Sequence, residues 1–194
     1  TAYFPKANVD TDQLIPARFM SVPRSEGYGD YLLYDQRRDA YGQLDPRFPL
    51  NTDKPPSVLI AERNFGSGSS REAAVYALVD AGFQAVIAPS FGDIFSSNAV
   101  NNGLLPLRLD EQDHAELVAC HKTHPDLSTE IDLDTCQLRL GSFERVFMLD
   151  ETWRLKLING WDDIDMTKQH LSSIEGYRER AFNITPWAWP NGVK

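Results

Sequence analysis

Ser69, Ser70 and Arg71 stand side by side in the stretch Arg63-Asn64-Phe65-Gly66-Ser67-Gly68-Ser69-Ser70-Arg71-Glu72. Two hydroxyls and a guanidinium are the groups that hold a carboxylate or a phosphate, the guanidinium through two parallel N–H bonds. Ser69 followed three residues later by Glu72 is a capping-box pattern, and it predicts a helix N-terminus at Ser69. A helix start carries unpaired N–H groups and a partial positive charge, so it too suits an anion. The bland alternative is a helix cap that binds nothing, with Arg71 an ordinary residue of the first turn.

Two nucleotide-binding patterns and one hydrolase pattern fail on inspection. A dinucleotide fingerprint needs a third small residue where Arg71 stands, so Gly66-x-Gly68 is only a fragment of it. A P-loop needs Gly-Lys-Ser/Thr, yet no lysine lies between Lys54 and Lys122. No serine sits at the centre of Gly-x-Ser-x-Gly.

The elements that must position this turn follow from the flanking sequence. Val58-Leu59-Ile60-Ala61 has the length of a buried strand, and 73–82 is helix-forming and mostly apolar. Continuing through residue 109, the pattern reads strand 58–61, helix 70–81, strand 85–88, helix 92–100 and strand 105–109. Such alternation predicts an α/β fold with parallel neighbouring strands and covering helices. Upstream, 10–20 reads as a helical turn running into a loop, and 21–56 is rich in Gly, Pro, Tyr, Arg and Asp. An irregular stretch that long is functional or disordered, though Tyr31-Leu32-Leu33-Tyr34 is apolar enough to pack. Downstream come a helix over 110–122 capped by Asp110, and strands near 129–133, 136–140 and 143–149 with a hairpin at Gly141-Ser142. A final helix spans 162–180, and the aromatic tail Trp187-Ala188-Trp189-Pro190 has no periodicity. No composition shift marks a boundary, so one domain over 1–194 is expected.

Charge and cysteine usage narrow the classes. The 194 residues carry a net charge of −9 without a run of basic residues, which argues against nucleic acid or an anionic membrane as partner. No stretch of about 18 apolar residues suggests a membrane span. The opening Thr1-Ala2-Tyr3-Phe4 has no charged and apolar leader, so no signal peptide is expected, and the missing initiator Met suggests trimming or disorder at the start. Cys120 and Cys136 are too few for a disulfide framework, so a reduced, cytoplasmic setting is expected.

Four further stretches accompany the turn in order: Asn8-Val9-Asp10-Thr11-Asp12-Gln13-Leu14-Ile15-Pro16, 86–95 (Val-Ile-Ala-Pro-Ser-Phe-Gly-Asp-Ile-Phe), Asn101-Asn102-Gly103-Leu104-Leu105-Pro106, and Asn159-Gly160-Trp161-Asp162-Asp163-Ile164 with Gln169-His170. With Asn64 to Glu72 they resemble the small subunits of 3-isopropylmalate dehydratase, the swivelling-domain half of the aconitase superfamily. The resemblance covers nearly the whole chain. It implies a swivelling β/β/α domain, a mixed sheet flanked by helices. It also implies a hydro-lyase reaction that moves the hydroxyl of 2-isopropylmalate to give 3-isopropylmalate by loss and return of water. By the same resemblance Ser69 is the base, Asp12 shares its pocket, Ser70 donates a hydrogen bond and Arg71 grips a substrate carboxylate. Read from the residues alone, Asp12 has the alternative of an N-cap for the turn that begins at Gln13. Arg18 and Ser21 are carried over as substrate contacts. Asn102 and Gly103 are given a structural part near the site, and Asp93 is read as a first-turn helix carboxylate.

The resemblance also implies a [4Fe-4S] cluster, which several cysteine thiolates hold. Two cysteines outside every matched motif cannot supply that set. His114, His121 and His124 share one polar segment without the spacing of a metal pair, so no metal is expected in this chain. The cluster is therefore expected in a separate large subunit that completes the enzyme. Two positions depart from the usual bacterial pattern: Ser67 stands where Cys is usual and Ala73 where His is usual. They loosen the identity of the alkylmalate substrate. Phe19-Met20-Ser21-Val22 lies where relatives acting on tricarboxylates carry an arginine, and its apolar character favours an alkyl group, with Arg24 nearby as a counter-indication. The alternatives are the small subunit of a related alkylmalate or tricarboxylate hydro-lyase, a non-catalytic anion-binding module, or a structural subunit that keeps only the fold.

Overall fold

The apolar runs Val58–Ala61 and Ala85–Ala88 are buried at every position, as strands covered on both faces must be. They are the centre of a parallel sheet. In chain order the computed structural model has β1 (Ala2–Phe4), α1 (Thr11–Leu14), α2 (Tyr34–Arg37), β2 (Val58–Ala61), α3 (Glu72–Asp80), β3 (Ala85–Ala88), α4 (Asp93–Asn101), β4 (Leu105–Arg108) and α5 (Glu111–Thr123). There follow β5 (Glu130–Asp132), β6 (Gln137–Leu140), β7 (Phe143–Val146), α6 (Glu151–Asn159), α7 (Asp163–Lys168) and α8 (Leu171–Ile184). The structure describes residues 1–52 and 55–189. Pro190 of the aromatic tail and two residues of the 21–56 stretch lie outside these. The chain divides into two compact units, Thr1–Gly160 and Trp161–Lys194.

In the first unit the sheet order is β1-β2-β3-β4, every pair parallel. β1 is an addition to the expected pattern; three residues are too few to show a period. Pro106 has no N–H for a ladder and sits in β4 at the sheet edge, where proline is tolerated. Alternate residues of the central strands go to opposite cores. Leu59, Ala61, Val86 and Ala88 join a cluster with Leu14, Ala74, Leu78 and Phe95. Val58, Ile60, Ala85 and Ile87 join another with Leu117, Leu138, Leu140 and Phe143. The second cluster brings in the antiparallel sheet β5-β6-β7. The layers are thus the expected β/β/α, with parallel and antiparallel strands in two separate sheets.

Several local expectations hold. Asp110 accepts from Asp113 N–H at 2.8 Å and caps α5. Gly141 and Ser142 join β6 to β7, with Leu140 opposite Phe143 and Gly141 at φ +57°. The irregular stretch after residue 21 is anchored more firmly than its composition suggests: Tyr28, Leu32 and Leu33 are buried in the main core. Gly29 explains the close approach, because a Cβ there would lie 2.7 Å from the Asp80 carbonyl carbon.

The second unit holds two helices where one was expected over 162–180. Asp162 and Asp165 form a capping box at the start of α7. Its end closes through Gln169 N–H to Met166 O and His170 N–H to Thr167 O, three-residue steps that tighten and end a helix.

Candidate active site

Three matched segments meet at the carboxyl ends of the parallel strands. The backbone zips them: Gly66 N–H donates to Val9 O at 2.7 Å and Thr11 N–H to Ser67 O at 2.9 Å. On the other side Phe65 N–H donates to Ser90 O at 3.0 Å and Gly92 N–H to Phe65 O at 2.9 Å. The glycines are required by packing as well as by turning. A Cβ on Gly66, whose φ is +70°, would meet the Phe95 ring at 2.2 Å, and one on Gly92 would meet Gly66 O at 2.6 Å. Phe91 and Phe95 stack in this corner and Phe65 meets both edge-on, with Phe65 and Phe95 centroids 5.5 Å apart.

On this base the turn presents its side chains. The buried Thr11 donates its hydroxyl to Ser69 O at 2.9 Å, and Arg71 N–H donates to the same oxygen at 2.7 Å. Two donors on one carbonyl fix the peptide that carries Ser69. The Ser69 and Ser70 side chains are exposed. Arg71 Nη1 forms an ion pair with Asp12 Oδ1. Ser69, Ser70, Arg71 and Asp12 are therefore brought together. Asp12 is not a helix cap: that part belongs to Asp10, whose Oδ1 accepts Gln13 N–H at 2.7 Å. Because the Asp12 side chain is 55% exposed, the pair stabilises by only about 0–1 kcal/mol. An incoming carboxylate can displace Asp12 from Arg71 at little cost.

The helix start differs from expectation. α3 begins at Glu72, with Arg71 in the cap position and no side-chain cap. Ser69 O is occupied by Thr11 and Arg71, which holds the turn out of helical form. Glu72 accepts instead from Asn102 Nδ2 at 2.8 Å, so the tertiary contact replaces the capping box. Asn102 also donates to Asn98 O at 2.9 Å and ties the end of α4 to the start of α3, the structural part expected of it. Asp93 lies in the first turn of α4. Since dipole effects fall off within a turn, Ser69 gains less from α3 than a cap residue would.

Arg18 and Ser21 belong to a different cluster. Arg18 forms an ion pair with both carboxylate oxygens of Asp35 and lies against the Phe19 and Tyr34 rings. The Asp35 hydrogen bonds hold the Arg18 pKa above its usual value and, reciprocally, that of Asp35 below its own. The Ser21 hydroxyl lies 3.5 Å from Arg18 O. Neither residue hydrogen-bonds to the 64–71 turn among the described residues.

One pair escaped the sequence reading. Asn8 and Asn64 both adopt the left-handed region, at φ 56° and 59°, and Asn64 Nδ2 donates to Asn8 Oδ1 at 2.9 Å. Asparagine tolerates this region better than other residues with a side chain, so two asparagines at the edges of two matched motifs were the available signal.

The cysteines and histidines do not form a cluster site. Cys120 donates to Leu140 O at 3.1 Å, and Cys136 lies 3.7 Å from Leu133 O. His114 is buried with Nε2 2.8 Å from Ala61 O, a strand-end contact. Burial lowers the His121 pKa. Among the described residues no three His, Cys, Asp or Glu side chains are grouped to hold a metal ion.

Residues 2–112 match the family model of the aconitase C-terminal domain, so the fold and the turn are those of an aconitase-type swivelling domain. The chain is 42% identical over 177 residues to the 3-isopropylmalate dehydratase small subunit of Shouchella clausii (strain KSM-K16), covering 90% of this chain and 89% of that protein. It is 42% identical over 179 residues to that of Shewanella oneidensis, again covering 90% and 89%. Among solved structures it resembles the 3-isopropylmalate dehydratase of Methanocaldococcus jannaschii, with a TM-score of 0.62 and 28% identity over 90% of this chain and 95% of that one. The chain belongs to the 3-isopropylmalate dehydratase small-subunit family.

Proposed function

We propose that this chain is the small subunit of a two-subunit 3-isopropylmalate dehydratase of leucine biosynthesis, working in the cytoplasm as one swivelling domain over residues 1–194. The observation that carries the reading is the Ser69-Ser70-Arg71 turn, oriented by Thr11 and Asp12 from a separate motif. It occurs in a chain over 40% identical, along nine-tenths of its length, to proteins of that name.

The reaction removes a proton from a carbon beside a carboxylate and a hydroxyl from its neighbour, then returns water with the two positions exchanged. Arg71 grips a substrate carboxylate through its fork once Asp12 is displaced. Ser69, as alkoxide, takes the proton from the carbon, becoming a neutral hydroxyl, and gives it back to the other carbon in rehydration. Ser70 donates a hydrogen bond to the substrate. Asp12, released from Arg71, orients the Ser69 hydroxyl in this reading. A serine alkoxide is a strong base, and helix-end stabilisation of about 0.3–2 kcal/mol is too little to form it. The remaining stabilisation comes from groups the partner supplies. Arg18 and Ser21 border the substrate's alkyl side.

The iron–sulfur cluster of this enzyme class, whose Lewis acidity assists departure of the hydroxyl, does not fit this chain. It is assigned to the large subunit. Ser69 and Ser70, exposed in the isolated chain, are the surface that subunit covers. The test is reconstitution: this chain alone gives no hydration of 2-isopropylmaleate, and addition of an anaerobically reconstituted large subunit restores it, read as loss of ultraviolet absorbance. Turnover by this chain alone overturns the reading. A panel of alkylmalates and tricarboxylates with the assembled enzyme decides the substrate, and a preference for tricarboxylates replaces the isopropylmalate assignment with the related hydro-lyase.

A further inference from the structure

At the far end of α3 from the Ser69 turn lies a cavity of about 330 Å³, lined by Asp30, Leu32, Arg37, Leu50, Asp80 and Phe83 among others. Its volume is at the small end of ligand pockets, which suits a metabolite rather than a nucleotide or a peptide. Its charges are of both signs. Arg37 is half-buried, with Nε–H donated to Asn51 Oδ1 at 2.8 Å. No carboxylate oxygen lies within 4.0 Å of its guanidinium among the described residues. Withdrawing a cation from water without a counter-ion is costly. Burial and the neighbouring Arg38 accordingly lower the Arg37 pKa, while Asp30 acts in the opposite sense.

The acidic side is as well defined. Asp30 lines the same cavity without an ion pair of its own among the described residues. Asp80 and Ala81, also in the lining, are the last residue and the C-cap of the nine-residue α3, where the helix dipole favours a cation. Asp80 is already engaged by Arg24 at 3.2 Å and by Tyr28 N–H at 3.1 Å, so the open anionic position is Asp30. Between these charges the wall is apolar: Leu32, Leu50 and Phe83 are all buried.

We propose that this cavity is a binding site for a small α-amino acid with an apolar side chain. Its carboxylate takes the two Nη groups of Arg37, its ammonium sits at Asp30 beside the carboxyl end of α3, and its side chain lies on Leu32, Leu50 and Phe83. The site does not depend on the proposed dehydratase activity. It has a physical route to the turn, however. The segment that lines the cavity continues into Leu33, whose N–H donates to Leu14 O at 2.8 Å, and Leu14 ends the helix that carries Asp12. A bound amino acid therefore braces the segment that holds α1 in place.

The experiment is calorimetric titration of the full chain with L-leucine, with 4-methylpentanoate, which lacks the ammonium, and with 3-methylbutylamine, which lacks the carboxylate. L-Leucine is expected to bind saturably, and each analogue at least tenfold more weakly. Asp30→Asn should weaken L-leucine at least tenfold without weakening 4-methylpentanoate. Arg37→Gln should weaken both acids, and Arg37→Lys should recover part of the loss. Thermal melts of each variant report on folding; Asp30 is exposed and tests the site even if the Arg37 variants unfold. Absence of saturable L-leucine binding up to about 10 mM, where affinities fall below useful strength, overturns the proposal. So does equal binding of L-leucine and 4-methylpentanoate, or indifference of L-leucine to Asp30→Asn.

Discussion

Ser69 is held by its backbone, while its hydroxyl is left to the solvent. Thr11 and Arg71 both donate to its carbonyl, so replacing the side chain leaves the turn in place. Ser69→Ala in the assembled enzyme is expected to lower kcat by about a thousandfold, the scale of a lost general base, with complex formation intact. Because Ser69 is not a helix cap here, its melting temperature should stay within about 1 °C of wild type, a smaller loss than the roughly 1 kcal/mol of a deleted cap. Arg71→Lys keeps the charge and loses the fork, so KM should rise about tenfold as kcat falls. Near-normal steady-state kinetics in both variants would leave the turn only a structural part. Ser67 and Ala73, the two positions read from the sequence as departures from the family pattern, leave the hydrogen bonds around Ser69 O untouched; the Ser67 carbonyl accepts Thr11 N–H at 2.9 Å.

At the scale of elements, the site depends on close contacts between loops after consecutive strands. Gly66 is the tightest of them, combining positive φ with a van der Waals conflict for any Cβ. Gly66→Ala should cost about 2–4 kcal/mol through strain and overpacking, read from guanidinium unfolding, and should separate the 64–71 turn from α4. Asp110→Ala, at the distant cap of α5, is the control: about 1 kcal/mol with unchanged kinetics. The edge strand β1 gives a pH signature. Tyr3 donates its hydroxyl to Glu62 and, through burial and that carboxylate, has its pKa pushed up to about 12. Its folded pKa exceeds its unfolded value near 10. The stabilisation is therefore complete below pH about 10 and lost as pH rises through about 12. Tyr3→Phe should flatten the fall of melting temperature across that window, and an unchanged slope counts against the contact.

At the scale of the whole molecule, the two cores draw none of the described residues beyond Leu157. A chain ending at Gly160 is accordingly expected to keep a single cooperative unfolding transition by calorimetry, with the near-ultraviolet circular dichroism of a packed core. The second unit contributes exposed apolar side chains instead, Tyr177 at 67% and Ile184 at 71% among them on α8. A loss of cooperative unfolding on truncation contradicts the reading of the first unit as self-sufficient. The excess acidity of the chain, −9 overall, predicts no affinity for DNA-cellulose at physiological salt.

The sequence by itself determined the strands and helices from 58 to 123 and the cap at Asp110, because burial on both faces and a local Asp–N–H bond leave their marks within a few residues. It also placed Ser69, Ser70 and Arg71 together, since they are neighbours in the chain. It did not place the start of α3, because a capping box is a local preference and the competing donors, the Thr11 hydroxyl to Ser69 O and the Asn102 amide to Glu72, lie 58 and 30 residues away. Nor did it settle Asp12, which local sequence left between helix cap and site residue until Asp10 took the cap and the fold carried Asp12 to Arg71. The Asn8–Asn64 pair and the charged cavity at the end of α3 were illegible for the same reason. Each joins segments whose spacing along the chain bears no relation to their distance in space, and only packing of the parallel sheet against its helices brings them within hydrogen-bonding range.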